Sequence, residues 1–310
     1  MSRTASFWRF FSQRFPAVKY LAYVAIWSTA ILSAMAWAKP RTAPVFPGWK
    51  QCVCGALALF VILFFMRVVD EIKDVDYDQK FHQDRPLVSG ETDVGTLRSY
   101  LIGSAVIALA LSLPLGIAEM VTACSIMMYS LILLWLERIS PSFRDSMYGN
   151  IVVTIQLKAG LIFYVVEVSA TEKQSLPVLP TALVGLSFLL AYLYWEMARK
   201  TVREDFLLPG EKAYSVPIGA GGSLAVASAL MTTACVLRAV VAIHWGRVSG
   251  AGIFILFTPL FLVAWVAGEV LRRRSVRYAP GLPAMCAYLV FLFSATAATV
   301  STSHAGPWSA

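Results

Sequence analysis

Nine mostly apolar runs of about 20 residues follow one another along the chain, at approximately 17–37, 51–69, 98–116, 118–136, 148–169, 178–195, 216–237, 250–271 and 282–301. Each is long enough to cross the ~30 Å hydrocarbon core of a bilayer as a helix. A helix satisfies its own backbone hydrogen bonds and so can sit in lipid. The pattern therefore predicts an all-α membrane protein with nine transmembrane helices. Very short turns around Gly116 and Pro177 separate neighbouring runs.

The polar intervals set the orientation, because cytosolic loops collect Lys and Arg. Of the 26 basic residues, Lys39, Arg41, Lys50, Lys173, Arg238 and Arg247 fall on one side, and Lys158 lies inside the fifth run. All the others gather on the opposite side, with Arg272-Arg273-Arg274 as the densest marker. This predicts a cytosolic N-terminus and an outer C-terminus, and the expected location is a bacterial inner membrane. Residues 1–16 carry Arg3, Arg9 and Arg14 among aromatic side chains and contain no small-residue cleavage site. They predict a cytosolic interfacial arm leading into a retained first helix.

Composition agrees with this picture. The chain is 58% hydrophobic and 14% charged, against about 25% charged residues in soluble domains. The net charge of +8 reads as membrane topology, not as nucleic-acid affinity. No soluble domain interrupts the 310 residues, which predict a single transmembrane domain. Cys52, Cys54, Cys124, Cys235 and Cys286 lie in or beside apolar runs and read as packing residues. His82, His244 and His304 are scattered and do not suggest a zinc site.

The acidic residues are concentrated. The second run passes into Asp70-Glu71-Ile72-Lys73-Asp74-Val75-Asp76-Tyr77-Asp78 and on to Arg85-Pro86-Leu87. No breaker intervenes, so the helix is expected to continue through it. Residues three and four apart share a helical face, which puts Glu71, Asp74 and Asp78 on one acidic ladder flanked by Asp70. Stacked carboxylates repel one another unless a cation offsets them. Mg²⁺ takes oxygen ligands and is commonly completed by substrate phosphates. A solvated acidic face is the plainer alternative.

Asp70-Glu71-x-x-Asp74-x-x-x-Asp78 followed by Arg85-Pro86-Leu87 resembles the first motif of the UbiA superfamily of intramembrane prenyltransferases, usually Asn-Asp-x-x-Asp-x-x-x-Asp and then Arg-Pro. The resemblance implies a helical bundle around a lateral, lipid-open cavity with a cytosolic polar cap. It implies Mg²⁺ bound by Asp70, Glu71, Asp74 and Asp78, and Arg85 on the diphosphate. Here Asp70 stands at the Asn position and Glu71 at the first Asp.

A second charged stretch follows the sixth run, from Tyr192 to Glu204, with Gly210, Lys212, Tyr214, Ser215 and Gly219 beyond it. It resembles the family's second motif, with Glu196, Lys200 and Glu204 at the motif positions, expected on one helical face. Glu replaces Asp, and Lys200 replaces a carboxylate. The resemblance implies Glu196 and Glu204 as metal ligands, with Lys200, Arg199, Lys212 and Tyr214 near the diphosphate. A charged Lys cannot ligate Mg²⁺ but can contact phosphate as a point charge. Asp74, Asp78, Arg85 and Lys200 are thus the expected catalytic residues.

Lys158 and Gln156 lie mid-run. Lys158 reads either as paired with Glu167 or Glu119, or as a contact to diphosphate or acceptor. Tyr148, Asn150, Tyr164, Tyr192, Tyr194 and Trp195 are candidates to line a cavity, where aromatic faces stabilise a carbocation; interfacial anchoring is the alternative.

The expected function is Mg²⁺-dependent transfer of a prenyl group from an allylic isoprenyl diphosphate to an aromatic or other lipophilic acceptor. The alternatives are a terpene cyclase using the same diphosphate site, a transporter supported by Lys158 and Glu167, and a non-catalytic homologue.

Overall fold

All nine predicted spans are helical in the computed structural model, which describes residues 3–39, 47–140, 147–170, 176–207, 213–245, 248–273 and 280–301. Among those residues the regular structure is entirely helical. The helices are α1 (Arg3–Arg14), α2 (Ala17–Ala38), α3 (Trp49–Lys73), α4 (Val75–Phe81), α5 (Val94–Ser112), α6 (Ile117–Ile139), α7 (Met147–Ser169), α8 (Val178–Arg199), α9 (Ser215–His244), α10 (Gly250–Leu256), α11 (Pro259–Arg272) and α12 (Gly281–Val300). Nine segments among the described residues are long and apolar enough to cross a membrane. Large apolar side chains such as Ile102, Val106, Ile117, Phe254 and Phe261 are exposed along them. Such surface is a liability in water and ordinary against lipid, and the protein is an integral membrane protein.

The chain divides into two units. The first comprises residues 1–28 and 48–168, with α3 packed against α5 and α6. The N-terminal arm folds onto α3 and α5 as a helix of its own. Phe10 and Phe15 are fully buried. The Phe15 ring stacks on Tyr20 at 3.8 Å and meets Phe60 and Phe64 edge-on, while Phe7 meets Tyr100. Arg14 Nε donates to buried Glu71 on α3 at 2.7 Å. Removing one partner of a buried pair leaves the other charge uncompensated. Arg67, 3.5 Å from the same carboxylate, moderates that cost. We expect Arg14→Ala to lose about 2 kcal/mol and to expose α1 to protease, measured by thermal unfolding and limited proteolysis in detergent.

The second unit comprises residues 29–47 and 169–310. The end of α2 packs on α12, where Trp37 Nε1 donates to Thr299 Oγ1 at 2.9 Å. The eighth predicted span is broken: α10 ends at Leu256 and α11 restarts at Pro259, which has no backbone N–H to continue the ladder. Arg238 of α9 lies beside the break. It is fully buried, with Nη1 donating to Phe291 O at 2.7 Å and Nη2 to Ser294 Oγ at 3.0 Å. Nη2 also reaches Leu256 O at 3.5 Å, and the guanidinium lies 3.5 Å above the Phe291 ring. The expected outer-loop position of Arg238 is therefore corrected. The residues after it, Ala239 to His244, continue α9, and the arginine is an interior residue of that helix.

Candidate active site

The first charged stretch sits at the end of α3. The absence of a breaker predicts a continuous helix, and the structure corrects that expectation. Asp74 leaves helical geometry (φ −86°, ψ 5°) and α4 restarts at Val75. The hydrogen-bond ladder survives the joint, since Asp74 N reaches Asp70 O at 2.9 Å and Asp78 N reaches Asp74 O at 2.8 Å. The joint is a local kink that reorients the side chains on either side of it.

Four carboxylates of the stretch, Asp70, Glu71, Asp74 and Asp78, then meet cations. Glu71 takes Arg14 and Arg67. Lys73 Nζ lies 3.9 Å from Asp70, 4.0 Å from Asp74 and 3.5 Å from Glu137 on α6. Asp78 is buried and accepts from Arg85 through Oδ2. The turn after α4 holds that arginine, with Arg85 N on His82 O at 3.1 Å and Ser89 N on Arg85 O at 2.8 Å. Further on, Asp93 caps α5 by accepting from Thr96 N at 2.9 Å. Burial pushes the Asp74 carboxyl above its ordinary range, with Lys73 opposing and Asp78 adding to the rise. Glu137 was not foreseen from the sequence. The available signal was a carboxylate at the end of an apolar run, beside Arg138.

Among the described residues no three His, Cys, Asp or Glu side chains converge closely enough to hold a metal ion by themselves. Glu71, Asp74 and Asp78 instead meet separate cations, Arg14 with Arg67, Lys73 and Arg85 respectively. The donor set nonetheless fits Mg²⁺, which needs only one or two carboxylates when phosphates and water complete its shell. The side chains of Asp70 and Asp74 are partly exposed, at 47% and 40%. Asp78 Oδ1 is buried without a hydrogen-bond partner among the described residues. A buried oxygen in that state costs free energy unless something outside the chain meets it.

The second stretch also departs from a single helical face. The helix α8 ends at Arg199, Lys200 is its C-cap, and Glu204 begins a 3-10 turn over Glu204–Phe206. The chain turns here because Thr201 bonds back to Met197 O at 2.8 Å and across to Ser223 at 2.6 Å. Ser215 Oγ secures the return by accepting from Val202 N and donating to Val202 O. Gly219, at φ +71°, supplies a left-handed turn within α9 that other residues adopt at a cost. Glu196 is buried and clamped, with Lys200 Nζ at 2.7 Å and Arg199 Nε at 2.8 Å. Its oxygens are thus committed to two cations, while Glu204 is exposed. Tyr214 faces Lys200, 5.7 Å from ring centre to Nζ. Burial pushes its hydroxyl up to about 12, with Glu196 adding to the rise and Arg199 opposing it, so it remains a donor at neutral pH. Gly210 and Lys212 lie outside the described residues.

No protein-family model matches the chain, and the search of curated proteins finds no match. Solved structures do resemble it. A UbiA homologue from Aeropyrum pernix K1 superposes with a TM-score of 0.59 at 16% identity, covering 90% of this chain and 96% of that one. The fold is that of the UbiA homologues. A digeranylgeranylglyceryl phosphate synthase gives a TM-score of 0.58 at 14% identity, covering 92% and 99% of the two chains. A UbiA homologue from Archaeoglobus fulgidus bound to DMAPP and Mg²⁺ gives 0.55 at 15%, again over 92% and 99%.

Within this UbiA fold the remaining candidates divide clearly. The charge of Lys158 on α7 acts on Asp70, while Glu167 accepts a hydrogen bond from Thr122. Gln156 is exposed and accepts from Tyr129 at 2.8 Å. Tyr164 is fully buried and bonded to Ser112 at 2.9 Å, which makes it an anchor between α5 and α7. Trp195 carries Arg199 over its ring at 4.8 Å and stacks on Tyr288. Tyr192 leans on Trp195, with ring centres 5.7 Å apart. Tyr194 is buried, with a hydroxyl lacking a partner among the described residues. The side chains of Tyr148 and Asn150 lie outside the described residues, as do His304 and Arg274.

Proposed function

We propose that this protein is a Mg²⁺-dependent intramembrane prenyltransferase acting on an allylic isoprenyl diphosphate. The observation that carries the reading is the end of α3. Asp70 and Asp74 are partly exposed there, and Asp78, with a buried oxygen unpartnered among the described residues, is held by Arg85. The likeness to a UbiA homologue bound to DMAPP and Mg²⁺ supports it.

Asp70, Asp74 and Asp78 would hold the metal, which when bound offsets the charge of the departing diphosphate. Arg85 is half-buried and already oriented by Asp78, so its guanidinium is available to a phosphate oxygen without ordering a long side chain. Within the second unit, Arg199 and Lys200 outnumber the one carboxylate between them, and the protonated Tyr214 hydroxyl is a donor. These groups suit a diphosphate better than they suit a metal. The allylic C–O bond breaks, its electron pair leaves with the diphosphate, and the resulting cation is captured by an electron-rich acceptor carbon that then loses a proton. Apolar helices in lipid keep water from the cation.

The test uses detergent-purified protein with Mg²⁺ and geranyl, farnesyl or geranylgeranyl diphosphate, with and without aromatic acceptors, read by gas chromatography–mass spectrometry. The expected result is prenylated acceptor, absent with Asp74→Ala. A cyclic hydrocarbon or alcohol formed without any acceptor would mean a terpene cyclase instead. No Asp74-dependent product under either condition removes the enzyme reading.

A further inference from the structure

A lysine stands at the centre of the acidic stretch, inside the motif and not beside it. Lys73 Nζ is within 4.0 Å of carboxylates from three directions: Asp70 one turn back on α3, Asp74 at the kink, and Glu137 on α6. Its stem is largely buried, with 21% of the side chain exposed, and Glu137 is more deeply buried still. The same three carboxylates are the charges that act on Lys73. The ammonium therefore has the position and the neighbours of a bound cation, but it is tethered to the chain.

We propose that Lys73 is the resident counter-ion of this acidic stretch and competes with the divalent ion for Asp70 and Asp74. Resting on the function proposed above, this makes metal entry dependent on substrate. A diphosphate offers the Lys73 ammonium anionic oxygens of its own. Once Lys73 turns to them, Asp70 and Asp74 are released to the metal. Glu137 is the anchor that returns Lys73 to the carboxylates when the site empties. The site then avoids holding metal without substrate. The neighbouring acidic residues also stay tolerable in the metal-free state, where unbalanced carboxylates would repel.

The test measures Mn²⁺ binding, in the absence of any diphosphate, by electron paramagnetic resonance on detergent-purified protein. Wild type, Lys73→Gln, Lys73→Met, Lys73→Arg and Asp74→Asn are compared, each checked for a monodisperse gel-filtration peak. Removing a like charge about 4 Å from the metal's ligands is expected to tighten Mn²⁺ binding by roughly tenfold or more. Lys73→Arg keeps the charge and is expected to stay within about twofold of wild type. Lys73→Met keeps an unbranched stem against α6 and gives the same reading if the Gln variant does not hold the fold. Equal or weaker Mn²⁺ binding by the neutral variants, with wild type still binding through Asp74, overturns the inference and leaves the proposed function standing. If neither wild type nor the neutral variants exceed Asp74→Asn, the metal site and this inference fall together.

Discussion

Asp78→Ala is expected to lower turnover of an allylic diphosphate by a factor on the order of 10³, the scale seen when a charge-stabilising group is removed from an active site. The expectation rests on two features of one carboxylate. Oδ2 fixes Arg85, so the substitution frees the guanidinium to swing and loses its preset aim. Oδ1 is buried and unpartnered among the described residues, which suits an oxygen awaiting a ligand. On the proposed function, one substitution thus removes a metal ligand and the orientation of a phosphate-binding arginine. Asp78→Glu keeps the charge but lengthens the stem, and should recover only part of the rate. Both variants should still chromatograph as folded protein. Asp78 is one of many groups in the first unit, and its loss leaves the aromatic docking of α1 intact. Steady-state assay of released pyrophosphate with Mg²⁺ provides the measurement.

The second large effect concerns stability. Arg238→Leu removes the donor that serves the carbonyls of Phe291 and Leu256 and the hydroxyl of Ser294. Leu256 O loses its arginine donor, while Phe291 O keeps the bond from Ser294 Oγ at 2.8 Å; at about 1.5–3 kcal/mol for each hydrogen bond to a charged group, the combined loss should reach about 3–5 kcal/mol. That corresponds to a midpoint lower by roughly 10 °C for a chain of this size, read by thermal unfolding in detergent. Arg238→Lys should fall between the two, because one ammonium on a flexible stem cannot span acceptors on both α12 and the end of α10. A midpoint for Arg238→Leu equal to wild type would mean that lipid or water satisfies those carbonyls.

Much of the fold was legible in the sequence because lipid imposes a simple rule. Length and hydropathy alone delimit a spanning helix, and the nine predicted spans match the nine apolar helical segments among the described residues within a few residues at most ends. The errors arose where a side chain decides the backbone. Arg238 interrupts an otherwise apolar run, so hydropathy ends the helix where the structure continues it to His244. Pro259 splits the eighth span, and Thr201 ends α8 by bonding back to Met197 O and across to Ser223. The site was legible as composition and less so as geometry. The charged residues lie at helix ends as expected, but the sequence does not state which cation each carboxylate meets. Arg14 is far from Glu71 along the chain, and Glu137 belongs to a different helix from Lys73. Those pairings depend on how α1 and α6 pack against α3. They turn a presumed acidic ladder into a set of ion pairs.

The central claim is that this chain binds an allylic diphosphate through a divalent ion. It is tested most directly by equilibrium binding of a non-ionisable thiolo analogue of geranylgeranyl diphosphate to detergent-purified protein, first in Mg²⁺ and then in EDTA. The account predicts saturable binding in Mg²⁺ that weakens by at least about tenfold in EDTA and by a similar factor in Asp78→Ala. Absence of saturable binding, or binding indifferent to both EDTA and Asp78→Ala, would contradict it.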